Sequence, residues 1–169
     1  PEVKAVMDAL LEQIKSDKEK SIIIATMNQQ QESEVNLALE AELLKNKMLR
    51  DFDSKHQGNL DELTVKKLED IQGDERDVVI ISTVYGPDAD GKITQMFGDI
   101  NRANGHRRLN VLFTRAKHKV ILVTSLRSSN IKESKREGPQ ILKKYLEYAE
   151  KGEITDLDGR TSGLSLIHI

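Results

Sequence analysis

The stretch Asp77-Val-Val-Ile-Ile-Ser-Thr83 is an apolar run between polar ends, and it decides the fold of this 169-residue chain. A β-branched run without alternating polar residues is typical of a strand buried on both faces of a parallel sheet. Ser21-Ile-Ile-Ile-Ala-Thr26 and Lys119-Val-Ile-Leu-Val-Thr-Ser125 have the same character, and residues 63–68 form a weaker run. These runs predict a set of neighbouring buried strands.

Helical patterns separate these strands. In residues 2–16, apolar side chains recur every three or four positions, which indicates an amphipathic helix. The later helices are expected from Asn28 as a cap to about Arg50, from Arg107 to Lys117, and from Gln140 to about Glu150 after Gly138-Pro139. Residues 51–60 and 85–93 are expected to be loops. Strands that alternate with helices predict an α/β domain with a mainly parallel sheet.

Composition indicates one globular domain of ordinary size, with 37% hydrophobic and 32% charged residues. The chain has no cysteine, and its four histidines lack the close spacing of a zinc-binding pair, so we expect no metal site and a cytoplasmic location. No apolar stretch approaches the roughly 20 residues that span a bilayer, and the amino terminus does not resemble a signal peptide. We therefore expect no association with a membrane.

The end of the chain has a different character. Residues 159–169 lack periodicity and end in Leu-Ser-Leu-Ile-His-Ile, which is compatible with a sequence added to the native one. We expect residues 1–158 to form the domain and residues 159–169 to be a disordered tail.

Positive charge is concentrated in one part of the chain. No acidic residue lies between Asp99 and Glu133, whereas eight basic residues do. They are Arg102, Arg107, Arg108, Arg115, Lys117, Lys119, Arg127 and Lys132. This window is a candidate for binding an anion, and the alternative is a solvated basic surface.

Two polar segments lie close to the predicted strands. Ligands of open α/β sheets bind at loops beyond the carboxyl ends of strands, and we expect these two segments and a third one, residues 107–117, to lie there. Thr26-Met-Asn-Gln-Gln-Gln31 follows one strand and begins a helix whose free N–H groups favour an anion. The alternative for this segment is simple capping by Asn28. In the segment before Asp77, Gly73 allows a tight turn, and Gln72 and Glu75 have side chains suited to bind a ribose or a phosphate network. The alternative here is an ordinary acidic loop.

A third segment, Arg107-Arg-Leu-Asn-Val-Leu-Phe-Thr-Arg-Ala-Lys117, combines an apolar arc with two arginines. If this segment is helical throughout, Arg108 and Arg115 project in the same direction, about 10 Å apart by helical rise. Guanidinium groups bind phosphates through two parallel hydrogen bonds, so this pair predicts a phosphate contact. The alternative is surface decoration.

In this order the three segments resemble motifs IV, V and VI in the second RecA-like domain of superfamily 1 DNA/RNA helicases. Thr26 and Gln31 match motif IV, T-x-x-x-x-Q. Gln72, Gly73 and Glu75 match motif V, Q-G-x-E, and the RRLNVLFTRAK segment matches motif VI. The likeness extends from about Ser21 to Ile154 and is greatest to a bacterial group of large AAA-type helicases. It implies a RecA-like domain of the P-loop NTPase fold.

The resemblance also implies roles in nucleotide hydrolysis. In such helicases ATP and Mg²⁺ are bound mainly by the first RecA-like domain, and the second domain supplies an arginine finger. By correspondence the finger is Arg115, with Arg108 close by, and Gln72, Gly73 and Glu75 contact the nucleotide, with Glu75 facing the ribose or the γ-phosphate region. This chain has no G-x-x-x-x-G-K-[S/T] loop, so we expect it to be inactive alone and to need the amino-terminal RecA-like domain as its partner.

Single-stranded DNA or RNA is the second partner that the resemblance implies. The expected contacts are Thr26, Asn28, Gln31 and Lys67. The chain departs from the family pattern at Lys67, where Ser or Thr is common, and at Glu69, where Asp or His is usual. The alternative to a motor domain is a RecA-like module that has kept its fold but serves only as a binding or scaffold unit.

Overall fold

A computed structural model describes residues 2–71, 73–83, 93, 97–151, 153–155 and 161–168. The helices are α1 (Glu2–Ser16), α2 (Gln29–Lys45), α3 (Lys47–His56), α4 (Gly105–Phe113) and α5 (Glu137–Lys151). The strands are β1 (Ile22–Thr26), β2 (Thr64–Lys67), β3 (Arg76–Ser82), β4 (Ala116–Thr124), β5 (Glu153–Thr155) and β6 (Thr161–His168). Short 3-10 turns lie at Leu68–Asp70, Gly98–Asn101 and Ser128–Asn130.

The strands form one sheet in the order β2-β1-β3-β4-β6-β5. All neighbouring pairs are parallel except β5 and β6, which are antiparallel. The predicted α/β fold with a mainly parallel sheet is therefore confirmed. Because the strands are parallel, their amino ends share one edge of the domain and their carboxyl ends share the opposite edge.

Side chains that alternate along β1 pack into two separate cores. Ile22 and Ile24 pack with α1, α2 and α3 on one face, and Ile23 packs with α4 and α5 on the other. All five residues of β1 are buried. This burial on both faces explains why the strand runs are continuously apolar.

The helix predicted from Asn28 to about Arg50 is in fact two helices. Asn46 has φ −106° and ψ 107°, which interrupts the helix, and its side chain accepts a hydrogen bond from Leu49 N at 3.2 Å. Asparagine is among the best residues at this capping position. The prediction of a loop over residues 51–60 was wrong for most of its length, since α3 continues to His56.

The predicted helix from Arg107 to Lys117 ends earlier, at Phe113. The Thr114 hydroxyl donates to Asn110 O at 2.9 Å and to Val111 O at 3.0 Å at the end of α4, and β4 begins at Ala116. Arg108 and Arg115 therefore do not share a helical face, and the prediction that they project together from one helix was wrong.

Residues near the end of the chain extend the sheet. Thr161–His168 forms β6, with Val120 of β4 opposite Leu164. We expected no regular structure there, but the apolar Leu164 and Leu166 are separated by the polar Ser165, which is the two-residue spacing of a strand. The domain boundary at residue 158 and the added origin of residues 159–169 stay predictions. Of the turn predicted for residues 85–93, residues 85–92 lie outside the described part.

The two glycines that begin α4 and α5 pack against the same main-chain group. A Cβ atom at Gly105 or at Gly138 would overlap the carbonyl oxygen of Ile100. These positions therefore allow the two helices to approach the turn at Gly98–Asn101.

Replacing Gly138 with Ala should lower the free energy of unfolding by about 1–3 kcal/mol, because the added methyl group forces the Ile100 carbonyl to move. Urea denaturation measures this effect. The control is Gly58→Asn, at an open position with φ +75° that asparagine tolerates. Equal stabilities of the two variants would contradict the close approach described here.

Hydrogen bonds to Asp77 join the amino ends of β1 and β3. Its carboxylate accepts from Ser21 N at 2.9 Å and from Ser21 Oγ at 3.0 Å, and His118 Nε2 lies 3.3 Å away. Burial raises the pKa of Asp77, but the Ser21 hydrogen bonds, together with the charges of Lys20 and His118, outweigh it. The net result is a pKa below the ordinary value.

A carboxylate with a lowered pKa stabilises the fold above its ordinary pKa of 3.8 and loses that effect as the pH falls through the lower folded value. Asp77→Asn should therefore reduce the free energy of unfolding at neutral pH, and its difference from the parent should shrink below about pH 4. Chemical denaturation from pH 7 to pH 3 tests this. Asp51→Asn, at an exposed carboxylate on α3, is the control and should have little effect. A difference for Asp77→Asn that does not vary with pH would contradict the assignment.

Candidate nucleotide and nucleic-acid sites

The predicted site residues divide between the two edges of the sheet. Gly73, Glu75 and Arg115 lie at the amino ends of β3 and β4, whereas Thr26 and Lys67 are the last residues of β1 and β2. Strand β3 has seven residues, so the two edges are about 20 Å apart by strand rise. The structure thus separates Gly73, Glu75 and Arg115 from Thr26 and Lys67, and the expectation that all three polar segments lie beyond the carboxyl ends of strands was wrong for the first three residues.

Arg115 lies in the two-residue turn between α4 and β4. Its carbonyl oxygen accepts a hydrogen bond from Arg76 N at 3.1 Å, which joins this turn to the start of β3. Phe113, two residues earlier, stacks on Tyr145 of α5 with ring centroids 3.6 Å apart. The main chain that carries Arg115 is therefore held from two sides.

The Arg115 guanidinium lacks a partner within the described part of the chain. Its Nε is buried and makes no hydrogen bond, and no carboxylate of a described residue lies within ion-pair distance. Buried polar groups in folded proteins nearly always have partners. A half-buried cation with an unsatisfied donor is suited to accept an anion from outside the domain.

The segment before β3 presents a second polar group at the same edge. Gly73 has φ +89°, a left-handed conformation that favours glycine, and it is exposed. Glu75 is also exposed, and among described residues no hydrogen bond or ion pair involves its carboxylate. Gln72, the third predicted residue of this segment, lies outside the described residues.

Arg108 is placed differently from Arg115. It lies on the second turn of α4, and its Nη1 is 3.9 Å from Glu69 Oε1. Glu69 belongs to the 3-10 turn that follows β2. Arg108 therefore contacts the segment after β2, and its assignment to the nucleotide stays a prediction.

Lys67 shares this carboxylate. Its Nζ lies 3.5 Å from Glu69 Oε2 and 3.6 Å from Asp70 Oδ2. The charge of Asp70 has the largest effect on the pKa of Lys67 and raises it, partial burial opposes this, and the charge of Glu69 adds to the increase, so the net pKa is raised. Lys67 therefore carries a positive charge at neutral pH. It lies opposite Thr26 in the register of β1 and β2.

The segment after β1 caps helix α2. Asn28 Oδ1 accepts a hydrogen bond from Gln31 N at 2.9 Å, and Thr26 Oγ1 donates to Asn28 O at 3.3 Å. The capping by Asn28 is therefore confirmed. The Asn28 side chain is exposed, so capping does not exclude contact with a ligand.

Gln31 is buried rather than displayed at the surface. Its exposed fraction is 3%, and its Nε2 donates to Ser82 Oγ, which in turn donates to Glu2 Oε1 at 3.0 Å. Its Oε1 atom is buried and has no hydrogen-bond partner among the described residues. Sequence reasoning missed Ser82, although its position at the carboxyl end of β3 is the same signal that identified Thr26.

Neither a metal-binding cluster nor a membrane-spanning helix occurs in the part of the chain that the structure describes. No group of three or more His, Cys, Asp or Glu side chains is placed to hold a metal ion. No described helix is long and apolar enough to span a membrane.

Comparisons with known proteins identify the family. The chain matches the AAA_12 family, described as an AAA domain, over residues 1–127. It is 38% identical over 96 residues to an uncharacterized ATP-dependent helicase of Mycoplasma pneumoniae, the MG140 homolog, covering 56% of this chain and 8% of that protein. It is 30% identical over 139 residues to the uncharacterized ATP-dependent helicase MG140 of Mycoplasma genitalium, covering 80% of this chain and 12% of that protein.

The chain thus spans about a tenth of the length of these curated relatives. No solved structure matches it. The family match covers three quarters of the chain and agrees with its parallel sheet and motif order. The chain therefore belongs to the AAA_12 family of AAA domains and is a C-terminal RecA-like domain of the superfamily 1 helicase type.

Proposed function

We propose that this chain is the carboxyl-side motor domain of an ATP-dependent superfamily 1 helicase or translocase, in which Arg115 is the arginine finger. The observation that carries this proposal is the half-buried Arg115 guanidinium, whose Nε has no partner among the described residues. A finger stabilises negative charge that develops on the transferred phosphoryl group. Its main chain must be held in place beforehand, as the Arg76 hydrogen bond holds Arg115 here.

The remaining nucleotide contacts follow from the same edge. ATP and Mg²⁺ bind mainly to the first RecA-like domain, so this chain alone neither binds ATP tightly nor hydrolyses it. The exposed Glu75 carboxylate accepts hydrogen bonds from the ribose hydroxyls, since a carboxylate facing the γ-phosphate would be repelled. Gln72 and Gly73 complete this contact. Arg108 lies beside Glu69 in the segment after β2, so it adds positive charge to the nucleotide site only at long range.

The opposite edge forms part of a track for single-stranded DNA or RNA. Lys67 binds a backbone phosphate; Thr26 lies opposite it in the register of β1 and β2, and Asn28 follows as the cap of α2. Gln31 supports this track from beneath by holding the first turn of α2 against Ser82. Closure of two motor domains on ATP would move this track relative to its counterpart, which is the usual consequence of nucleotide-driven domain closure.

In the complete protein, Arg115→Ala should lower kcat by about 10³ or more while the Kd for ATP changes much less, because the finger acts in the transition state. Arg115→Lys should resemble Ala, since an ammonium group cannot make the forked contact. Steady-state hydrolysis, nucleotide titration and thermal melting on the same preparations measure these effects. Arg107→Ala, at an exposed arginine of α4, is the matched control.

Near-normal kcat in Arg115→Ala would end the finger assignment. Loss of thermal stability and nucleotide affinity together with the rate would instead show that Arg115 only stabilises the turn. A complete protein without ATPase activity in its parent form would favour the scaffold module.

Lys67→Ala in the complete protein should weaken binding of single strands uniformly across sequences. The salt dependence of log K should become shallower by about 0.7, which corresponds to one phosphate contact on a single strand. Fluorescence anisotropy at several salt concentrations measures both quantities. Lys47→Ala, at an exposed lysine of α3, is the control. An unchanged slope for Lys67→Ala would remove Lys67 from the track.

A further inference from the structure

We infer that Arg76 is a positioning residue that fixes Glu75 for its contact with ribose and so sets the preference for a ribonucleotide over a deoxyribonucleotide. This inference rests on the proposed function, because it takes the amino edge of the sheet as the nucleotide site. It assigns a role to a side chain that the motif comparison did not single out.

Arg76 is the first residue of β3 and is 5% exposed. Its Nη1 donates to Glu75 O at 2.9 Å, and its Nη2 donates to Glu62 O at 3.1 Å. The Asp74 carboxylate is farther away, at 3.9 Å. The guanidinium therefore holds main-chain carbonyl groups more closely than it holds any carboxylate of the described chain.

Such a residue is unexpected on packing grounds. Burying a guanidinium is costly unless its donors are satisfied, and an aliphatic side chain would suit the start of a strand that continues as Val78–Ile81. What the arginine adds is a rigid link between two main-chain segments: residue 62, before β2, and residue 75, before β3. Its planar fork restricts the orientation of the Glu75 peptide group.

The loop before Glu75 is already held by other contacts. Lys66 Nζ lies 2.7 Å from Asp74 Oδ2, and Asp74 N donates to Ile71 O at 3.1 Å. These contacts end at residue 74. Arg76 is thus the described side chain that secures the Glu75 carbonyl, while the Glu75 carboxylate extends into solvent without a described partner.

Arg76 also contacts the turn that carries Arg115, but through its main chain. Arg76 N donates to Arg115 O, and this hydrogen bond does not depend on the side chain at position 76. Replacing the side chain should therefore disturb Glu75 and spare Arg115. The expected kinetic signature is a changed KM and a changed sugar preference at nearly constant kcat.

The test uses the complete protein with ATP and 2′-deoxy-ATP as substrates and compares the parent, Arg76→Lys, Arg76→Gln and Glu75→Gln. In both Arg76 variants, KM for ATP should rise about tenfold, the size expected for loss of one hydrogen bond to a charged group, while kcat stays within about twofold. The ratio of kcat/KM for ATP to that for 2′-deoxy-ATP should fall toward the ratio of Glu75→Gln.

Arg50→Lys is the matched control. Arg50 Nη1 donates to the carbonyl oxygens of Leu43 and Leu44 at 2.9 and 3.0 Å, so it also holds main-chain groups, but it lies on α3. Its replacement should leave the sugar preference unchanged even if the melting temperature falls.

The outcomes separate the inference from the function on which it rests. If Glu75→Gln lowers the sugar preference and neither Arg76 variant does, Arg76 has no positioning role. If the Arg76 variants only lower the melting temperature and reduce kcat/KM equally for both nucleotides, their role is structural and the inference is overturned. If neither Glu75→Gln nor the Arg76 variants alter the preference of the parent, the ribose contact of the proposed function is wrong.

Discussion

Burial of the central strands on both faces is the constraint on which the rest of this structure depends. Ile22 and Ile24 occupy one core and Ile23 the other, so no position in the middle of β1 can hold a polar group without a large energetic cost. Polar residues are therefore confined to the strand ends. Because the neighbouring strands are parallel, those ends form two separate polar edges rather than one.

This arrangement fits a domain with two ligands. At the amino edge, Glu75 and Arg115 are brought together by the hydrogen bond between Arg76 N and Arg115 O. At the carboxyl edge, Lys67 lies opposite Thr26 in the parallel register. The sheet between the two edges is rigid and about 20 Å deep. A rotation of the domain about one edge therefore displaces the other edge.

The strands could be predicted well from the sequence, because a short β-branched run without polar alternation is typical of a strand buried on both faces. The sequence was a poorer guide where one side chain ends a helix. Asn46 and Thr114 both interrupt patterns that remain apolar at helical spacing, and only their local hydrogen bonds show that the helix stops. As a result Arg115, expected on a helix, lies in a turn.

In the candidate sites too, the sequence pattern identifies individual residues, whereas their burial depends on contacts with residues distant in the sequence. The rule that ligands bind beyond the carboxyl ends of strands misplaced Glu75 and Arg115, which lie at the amino ends of β3 and β4. Burial of Gln31 depends on Ser82 and Glu2, which are distant in sequence. Arg76 was overlooked because a cation beside two acidic neighbours is expected at a surface. Its burial follows from the carbonyl of Glu62, which no local pattern indicates.

Gly105 and Gly138 affect how glycine at the start of a helix should be interpreted when homologous sequences are compared. Both glycines stand at the start of a helix, where invariant glycine is commonly taken as a sign of bound phosphate. Here the reason is steric, because the carbonyl oxygen of Ile100 occupies the space that a methyl group would need at either position. Invariance at these two positions would record the fit between two helices and one turn, not a binding site.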